Sequence, residues 1–99
     1  MRAAGTAVAG ACLFALAQAA GAAAPAPPSG ATSCTGCHPA SAKVETKVPR
    51  LAGRNAAEIV AAMQAFRSGQ KPSTVMDRIA KGFSDEETRA VADWLGAQQ

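Results

Sequence analysis

Apolar and polar positions in the second half of the chain fall with a helical period. Ile59, Met63 and Phe66 lie at i, i+4 and i+7, with Val60 beside them, so one face of this stretch is apolar. Asn55 precedes it as an N-cap candidate, and Glu58 follows three residues later, the spacing of a capping box. Gly69 stands where a C-terminal cap is expected. A further helix is predicted from Ser84, with Glu87 at the third position as a second capping box. Asp85, Glu86 and Glu87 suit the positive end of its dipole, and Val91, Trp94 and Leu95 give it an apolar stripe. Between the two helices, Pro72 to Gly82 reads as a short non-regular segment containing Met76, Ile79 and Ala80.

The first half is less periodic. Pro25-Ala26-Pro27-Pro28-Ser29-Gly30 is an extended lead-in. Ala40 to Pro49 reads as a loop, and Pro49-Arg50-Leu51-Ala52-Gly53 as a turn leading into the middle helix. No strand alternation and no internal repeat stand out, so the expected fold is a small all-α domain.

The N-terminus has a different pattern. Met1-Arg2 is followed by an apolar run from Ala3 to about Ala17 with no further charge. Small residues at cleavage spacing come next, Ala17-Gln18-Ala19 or Gly21-Ala22-Ala23. This is the order of a secretory signal peptide, and the run is shorter than the roughly 20 apolar residues of a membrane span. The expected organisation is a signal peptide over 1–24, a lead-in over 25–33 and a folded domain over 34–99. Export to the periplasm and no stable membrane insertion after cleavage follow; a retained anchor is the alternative. Cys12 lies inside the apolar run, which continues through Leu13, Phe14 and Leu16, and Ala9 stands where a lipoprotein signal wants a Leu-like residue.

Composition then sharpens the picture. The chain has 99 residues and a net charge of +3. Removing the leader leaves roughly 75 to 80 residues, below the size at which a core alone is dependable. The large aromatics of that remainder are Phe66, Phe83 and Trp94, so the fold needs a staple. A disulfide between Cys34 and Cys37 would close too short a loop to add much. No dense basic run with interleaved aromatics is present, which argues against a nucleic-acid partner.

The chemistry lies in Cys34-Thr35-Gly36-Cys37-His38. Cys-x-x-Cys-His is a haem attachment signature. Residues three and four apart share a helix face, so two thiols reach the two vinyl groups of one haem c from the same side. His38 is tethered beside the iron as the proximal ligand, and Thr35 and Gly36 are small enough to let the porphyrin approach. A redox dithiol normally accompanies a βαβ pattern, which is missing here. A structural zinc needs four ligands, and the exported chain offers Cys34, Cys37 and His38. For the sixth position, a Met thioether suits electron transfer. Met76, in the irregular segment, is the candidate; Met63, on the apolar helix face, reads as core filler. No second His exists.

These residues resemble class I cytochrome c: Cys-x-x-Cys-His near the start, a Pro-x-Leu-x-Gly turn, a middle helix, a Met and a capped final helix. Phe66-Arg67-Ser68-Gly69 and the string Ser73 to Ser84 are most similar to the single-haem cytochrome subunit of flavocytochrome c sulfide dehydrogenase. The resemblance implies thioethers at Cys34 and Cys37 and axial bonds from His38 and Met76. It also implies a hydrogen bond from the haem histidine to the carbonyl of Pro49. The implied partner is a flavoprotein subunit carrying FAD that oxidises sulfide, with a downstream cytochrome or other carrier as acceptor. One departure stands out. The prolines and Gly30 shorten the helix before Cys34, which puts the usual packing of first and last helices in question and leaves Trp94 either core or haem cover. Arg50, Arg54, Arg78 and Lys81 read as surface charges before propionate partners.

A site closed by His38 and Met76 has no open position for substrate, so no catalytic residue of its own is expected. The rival readings are a free soluble cytochrome shuttling between complexes and an open-iron haem enzyme or gas sensor.

Overall fold

The computed structural model describes residue 5 and residues 25–99. Apart from Gly5, the predicted leader, Cys12 included, lies outside the described residues. Four helices follow in order: α1 (Ala31–Thr35), α2 (Ala56–Ser68), α3 (Met76–Ala80) and α4 (Asp85–Gly96). No strand occurs among the described residues.

Local sequence signals set the helix ends. Ser84 accepts from the Glu87 amide, and the Glu87 carboxylate accepts in return from the Ser84 amide, completing the box on α4. Asn55 Oδ1 accepts from the amides of Ala57 and Glu58 at 2.8 and 3.3 Å. The return bond from Glu58 is not made, because that side chain lies along the cleft described below. Each such cap is worth about 1 kcal/mol. Gly69 ends α2 at φ 79°, a left-handed conformation that favours glycine.

Two expectations need correction. Met76 does not lie in irregular chain; it opens α3. Ser73 makes that turn possible, because its Oγ accepts from the Asp77 amide at 3.0 Å and donates to Asp77 Oδ1 at 3.2 Å. The first and last helices also do pack, although α1 has only five residues. Ala31 is fully buried and joins Val91, Ala92 and Leu95 of α4 and Ile59 of α2 in one cluster. Ala31 and Ala92 are small, so the backbones approach closely where a longer α1 would have spread the contact over more turns. The end of α4 is held against the turn before α2. The Gly53 amide donates to the Leu95 carbonyl at 3.0 Å, and a Cβ on Gly96 would stand 2.9 Å from the Arg54 carbonyl oxygen.

The core that results is thin. Among the described residues the buried apolar ones are Ala31, Ile59, Ala80, Val91, Ala92 and Leu95, and no large side chain is fully buried. Phe83, Leu51, Val60 and Trp94 only flank it. The helices surround a space rather than fill one, in keeping with the aromatic-poor composition.

Candidate functional site

That space is a cleft of about 780 Å³, within the range of cofactor sites. Ile59, Met63, Phe66, Ile79, Phe83 and Leu95 give it an apolar lining. Cys34, Cys37 and His38 enter from the end of α1, and Met76 from the start of α3. Helices α1 and α3 make no packing contact with each other, so the two groups face one another only through the cleft.

On the first side, the turn at the end of α1 is closed by the amides of Cys37 and His38, both donating to the Cys34 carbonyl. This keeps the thiols and the imidazole on one local frame. Cys34 is half-buried and Cys37 exposed, and both are free thiols. Burial pushes the Cys34 thiol up, partly offset by a backbone hydrogen bond. His38 Nδ1 lies 2.6 Å from the Pro49 carbonyl oxygen. A carbonyl can only accept, so Nδ1 carries the proton and Nε2 is the ring nitrogen left with a lone pair. Arg50 Nε donates to the Ala40 carbonyl at 2.7 Å. With the His38–Pro49 bond it zips the two ends of the 38–50 loop together.

On the other side, Ser73 precedes Met76, and the chain beyond it is held by Arg67 at Phe83. One guanidinium nitrogen of Arg67 donates to the Phe83 carbonyl at 2.5 Å, and the other lies 2.8 Å from Asp85 Oδ1. Phe83 also packs its ring over Gly30, where an added Cβ would stand 2.6 Å from Cε1. Gly30 has φ 83° and its carbonyl accepts from Ser33 Oγ at 2.5 Å, so it starts α1 as well.

The remaining candidates sort clearly. Met63 lines the same cleft instead of filling the core. Trp94 is absent from the cleft lining; it packs on the core cluster, and its indole N–H donates to the Pro25 carbonyl at 3.2 Å, tying down the lead-in. Of the four basic residues singled out in the sequence, Arg54 reaches the cleft, while Arg50 is committed to Ala40. Lys47 and Lys71 also line it, Lys71 with its ammonium 5.1 Å from the centre of the Phe66 ring. Their positions depend on how the loops close, which no local pattern announces. Arg67 was missed for the same reason: its partners lie 16 and 18 residues away.

The cleft suits a large, flat, mostly apolar group held by sulfur and imidazole. Its walls are apolar, its two free thiols and one imidazole stand together, and the core lacks the large buried side chains that would otherwise fill it. Thr88 Oγ1, on the same wall, is buried with no hydrogen-bond partner. Among the described residues no group of three His, Cys, Asp or Glu side chains is placed to hold a metal ion by itself. No helix among them is long and apolar enough to cross a membrane.

No family model matches the chain. Its sequence is similar to three characterised proteins. The cytochrome subunit of sulfide dehydrogenase of Chlorobaculum tepidum is 36% identical over 64 residues, which is 65% of this chain and 58% of that protein. The thiosulfate dehydrogenase electron acceptor of Thiomonas intermedia is 37% identical over 73 residues, 70% of this chain and 34% of that protein. Its counterpart in Stutzerimonas stutzeri is 38% identical over 66 residues, 63% and 31% of the respective lengths. The chain therefore spans under three fifths of the first relative and about a third of the other two. The four helices of the described residues, with a short first helix and no strand, are consistent with the small all-α fold of class I cytochrome c. Each of these relatives is named as a cytochrome subunit or an electron acceptor of a sulfur-compound dehydrogenase.

Proposed function

We propose that this chain is an exported, single-haem electron-transfer protein of the periplasm that accepts electrons from a sulfide-oxidising flavoprotein subunit. The observation that carries the reading is the cleft itself, with Cys34, Cys37 and His38 on one side and Met76 on the other. The leader over 1–24 would be removed on export, and 34–99 would be the cytochrome domain.

Cys34 and Cys37 hold the haem covalently. Their thiols would supply the two thioether attachments. His38 would offer Nε2 to the iron, with its bond to the Pro49 carbonyl fixing the ring and making the imidazole a better donor. Met76 would offer a thioether to the same iron, which would raise the potential and leave no open site for substrate. The bound haem supplies a one-electron ferrous/ferric couple. The apolar lining, from Ile59 to Leu95, keeps water away and limits rearrangement on transfer. Lys47, Arg54 and Lys71 give the mouth a positive character that would steer an acidic partner surface.

The partner is read from the relatives. The sulfide dehydrogenase subunit supports a sulfide-oxidising donor; that the donor is a flavoprotein carrying FAD, and that a downstream cytochrome or other carrier takes the electron, rests on the resemblance of the Ser73 to Ser84 string. The two electron acceptors at 37 and 38% identity favour a second reading, in which the donor is a thiosulfate dehydrogenase.

Ligand binding and mixing experiments test this. Ferrous wild-type protein should resist carbon monoxide at neutral pH, and Met76→Leu should bind it readily and lose the Met-to-iron charge-transfer band. If Met63→Leu removes the band instead, the ligand is Met63; if wild type binds carbon monoxide rapidly, the closed site is wrong. Reduction by the native donor complex with sulfide, against reduction with thiosulfate, decides between the two partners.

A further inference from the structure

We infer that Arg67 is a positioning residue that holds Met76 toward the cleft, acting through the carbonyl of Phe83. This rests on the reading of Met76 as an axial ligand and adds what keeps it there. Met76 heads α3 in the connection between α2 and α4, and α3 packs against α2. The ends of that connection are fixed as well, and they set how Met76 sits within that contact.

The front end is fixed locally. Ser73 Oγ accepts from the Asp77 amide, so the chain enters α3 in a defined turn. The rear end is fixed at a distance. Behind Met76, α3 runs to Ala80, and the amides of Gly82 and Phe83 donate to the carbonyls of Ile79 and Ala80. An unbroken series of hydrogen bonds thus connects α3 to Phe83. Ala80, midway along it, is fully buried. At Phe83 the series meets the Arg67 guanidinium, donating at 2.5 Å. Arg67 is in the last turn of α2, the helix whose face lines the cleft. One side chain therefore anchors the far end of the Met76 segment to the cleft wall.

The two bonds of Arg67 are unequal in consequence. The contact with Asp85 joins side chains that are 33% and 56% exposed, a setting in which ion pairs contribute little. The bond to the Phe83 carbonyl is part-buried and charge-assisted. An Asp85 change should therefore do less than an Arg67 change. The ring of Phe83 extends the effect, because it packs over Gly30 at the start of α1. Arg67 thus sets the position of the residue that joins the Met76 segment to α1, which leads into Cys34–His38.

Imidazole competition on the ferric holoprotein at fixed pH reads this directly. The entering ligand binds only when Met76 is off the iron, so its apparent affinity reports the open fraction. Arg67→Ala should bind imidazole about tenfold more tightly, the scale expected for losing one charge-assisted bond. Asp85→Asn should change it by less than about threefold, as befits an exposed pair. In a Met76→Leu background the Arg67 effect should vanish. Arg67→Lys, which keeps the charge but not the fork, gives the same test should Arg67→Ala yield no haem protein, and is expected to fall between the two. An unchanged affinity in a folded Arg67 variant overturns the inference. So does an effect of equal size in the Met76→Leu background, which would mark Arg67 as a general stabiliser. Failure of the underlying ligand reading is separate and visible beforehand: Met76→Leu alone would then leave the charge-transfer band in place.

Discussion

His38 stands on a turn next to two cysteines and at the mouth of an exposed loop, secured by its own bond to Pro49 and by Arg50 reaching Ala40. Met76 stands at the head of a five-residue helix, with no cysteine near it, framed by Ser73 and by the Arg67–Phe83 bond. The first group is placed by the turn that ends α1 and by the 38–50 loop folding back on it, and on the proposed reading by covalent attachment as well. The second is placed by contacts that reach across the fold. On the proposed reading, a ligand beside its own tether tolerates an exposed, loop-rich setting, whereas a ligand without one sits in the helical half, where the capped helices α2 and α4 supply the frame.

The largest test of this contrast removes the tether. Cys34→Ser/Cys37→Ser should lose covalent haem altogether on denaturing electrophoresis, and His38 should then hold what haem remains no better than an untethered imidazole. Haem staining that persists in the double variant would abolish the distinction between the sides. A second change strikes where they meet. Gly30 has φ 83° and the Phe83 ring over it, so Gly30→Ala meets both backbone strain and a clash. The strain alone costs roughly 1–2 kcal/mol. For a domain of this size each kcal/mol lowers the melting temperature by about 4–8 °C. Thermal unfolding of the holoprotein should show a fall of at least that size, with tighter imidazole binding as Phe83 shifts. A variant that melts like wild type would mean that Phe83 does not link the two sides. The smallest effect belongs to the frame. Ser84→Ala removes the cap of α4 for about 1 kcal/mol. It should lower the melting temperature while leaving imidazole affinity within twofold of wild type, and a larger change would show that frame and ligand position are not separable.

How far these features could be read from sequence follows their range. The caps at Asn55, Gly69 and Ser84 were legible because donor and acceptor lie within one turn. The Glu58 half of its box failed because the cleft offered that side chain another place, a tertiary effect. The helix at Met76 was missed because Ser73 acts over four residues, outside the usual box spacing, and because Pro72 argues for irregular chain. The packing of α1 on α4 was doubted because prolines shorten α1, yet the single small residue Ala31 suffices for the contact. The attachment motif was legible as chemistry, whereas the Pro49 contact came from resemblance: a backbone acceptor eleven residues away has no side-chain signature. Arg67 was illegible for the same reason, since its main partner is the carbonyl of Phe83.

The thin core has a consequence for the order of events in assembly. Among the described residues, six small or medium apolar side chains and no fully buried large one would give the chain without its cofactor little stability of its own. If haem is attached as proposed, such a chain would close only as it loads, with Cys37 and the half-buried Cys34 accessible to whatever delivers the group. Thioethers would then hold the group regardless of its supply, so compaction would follow from loading and loading would be effectively one-way.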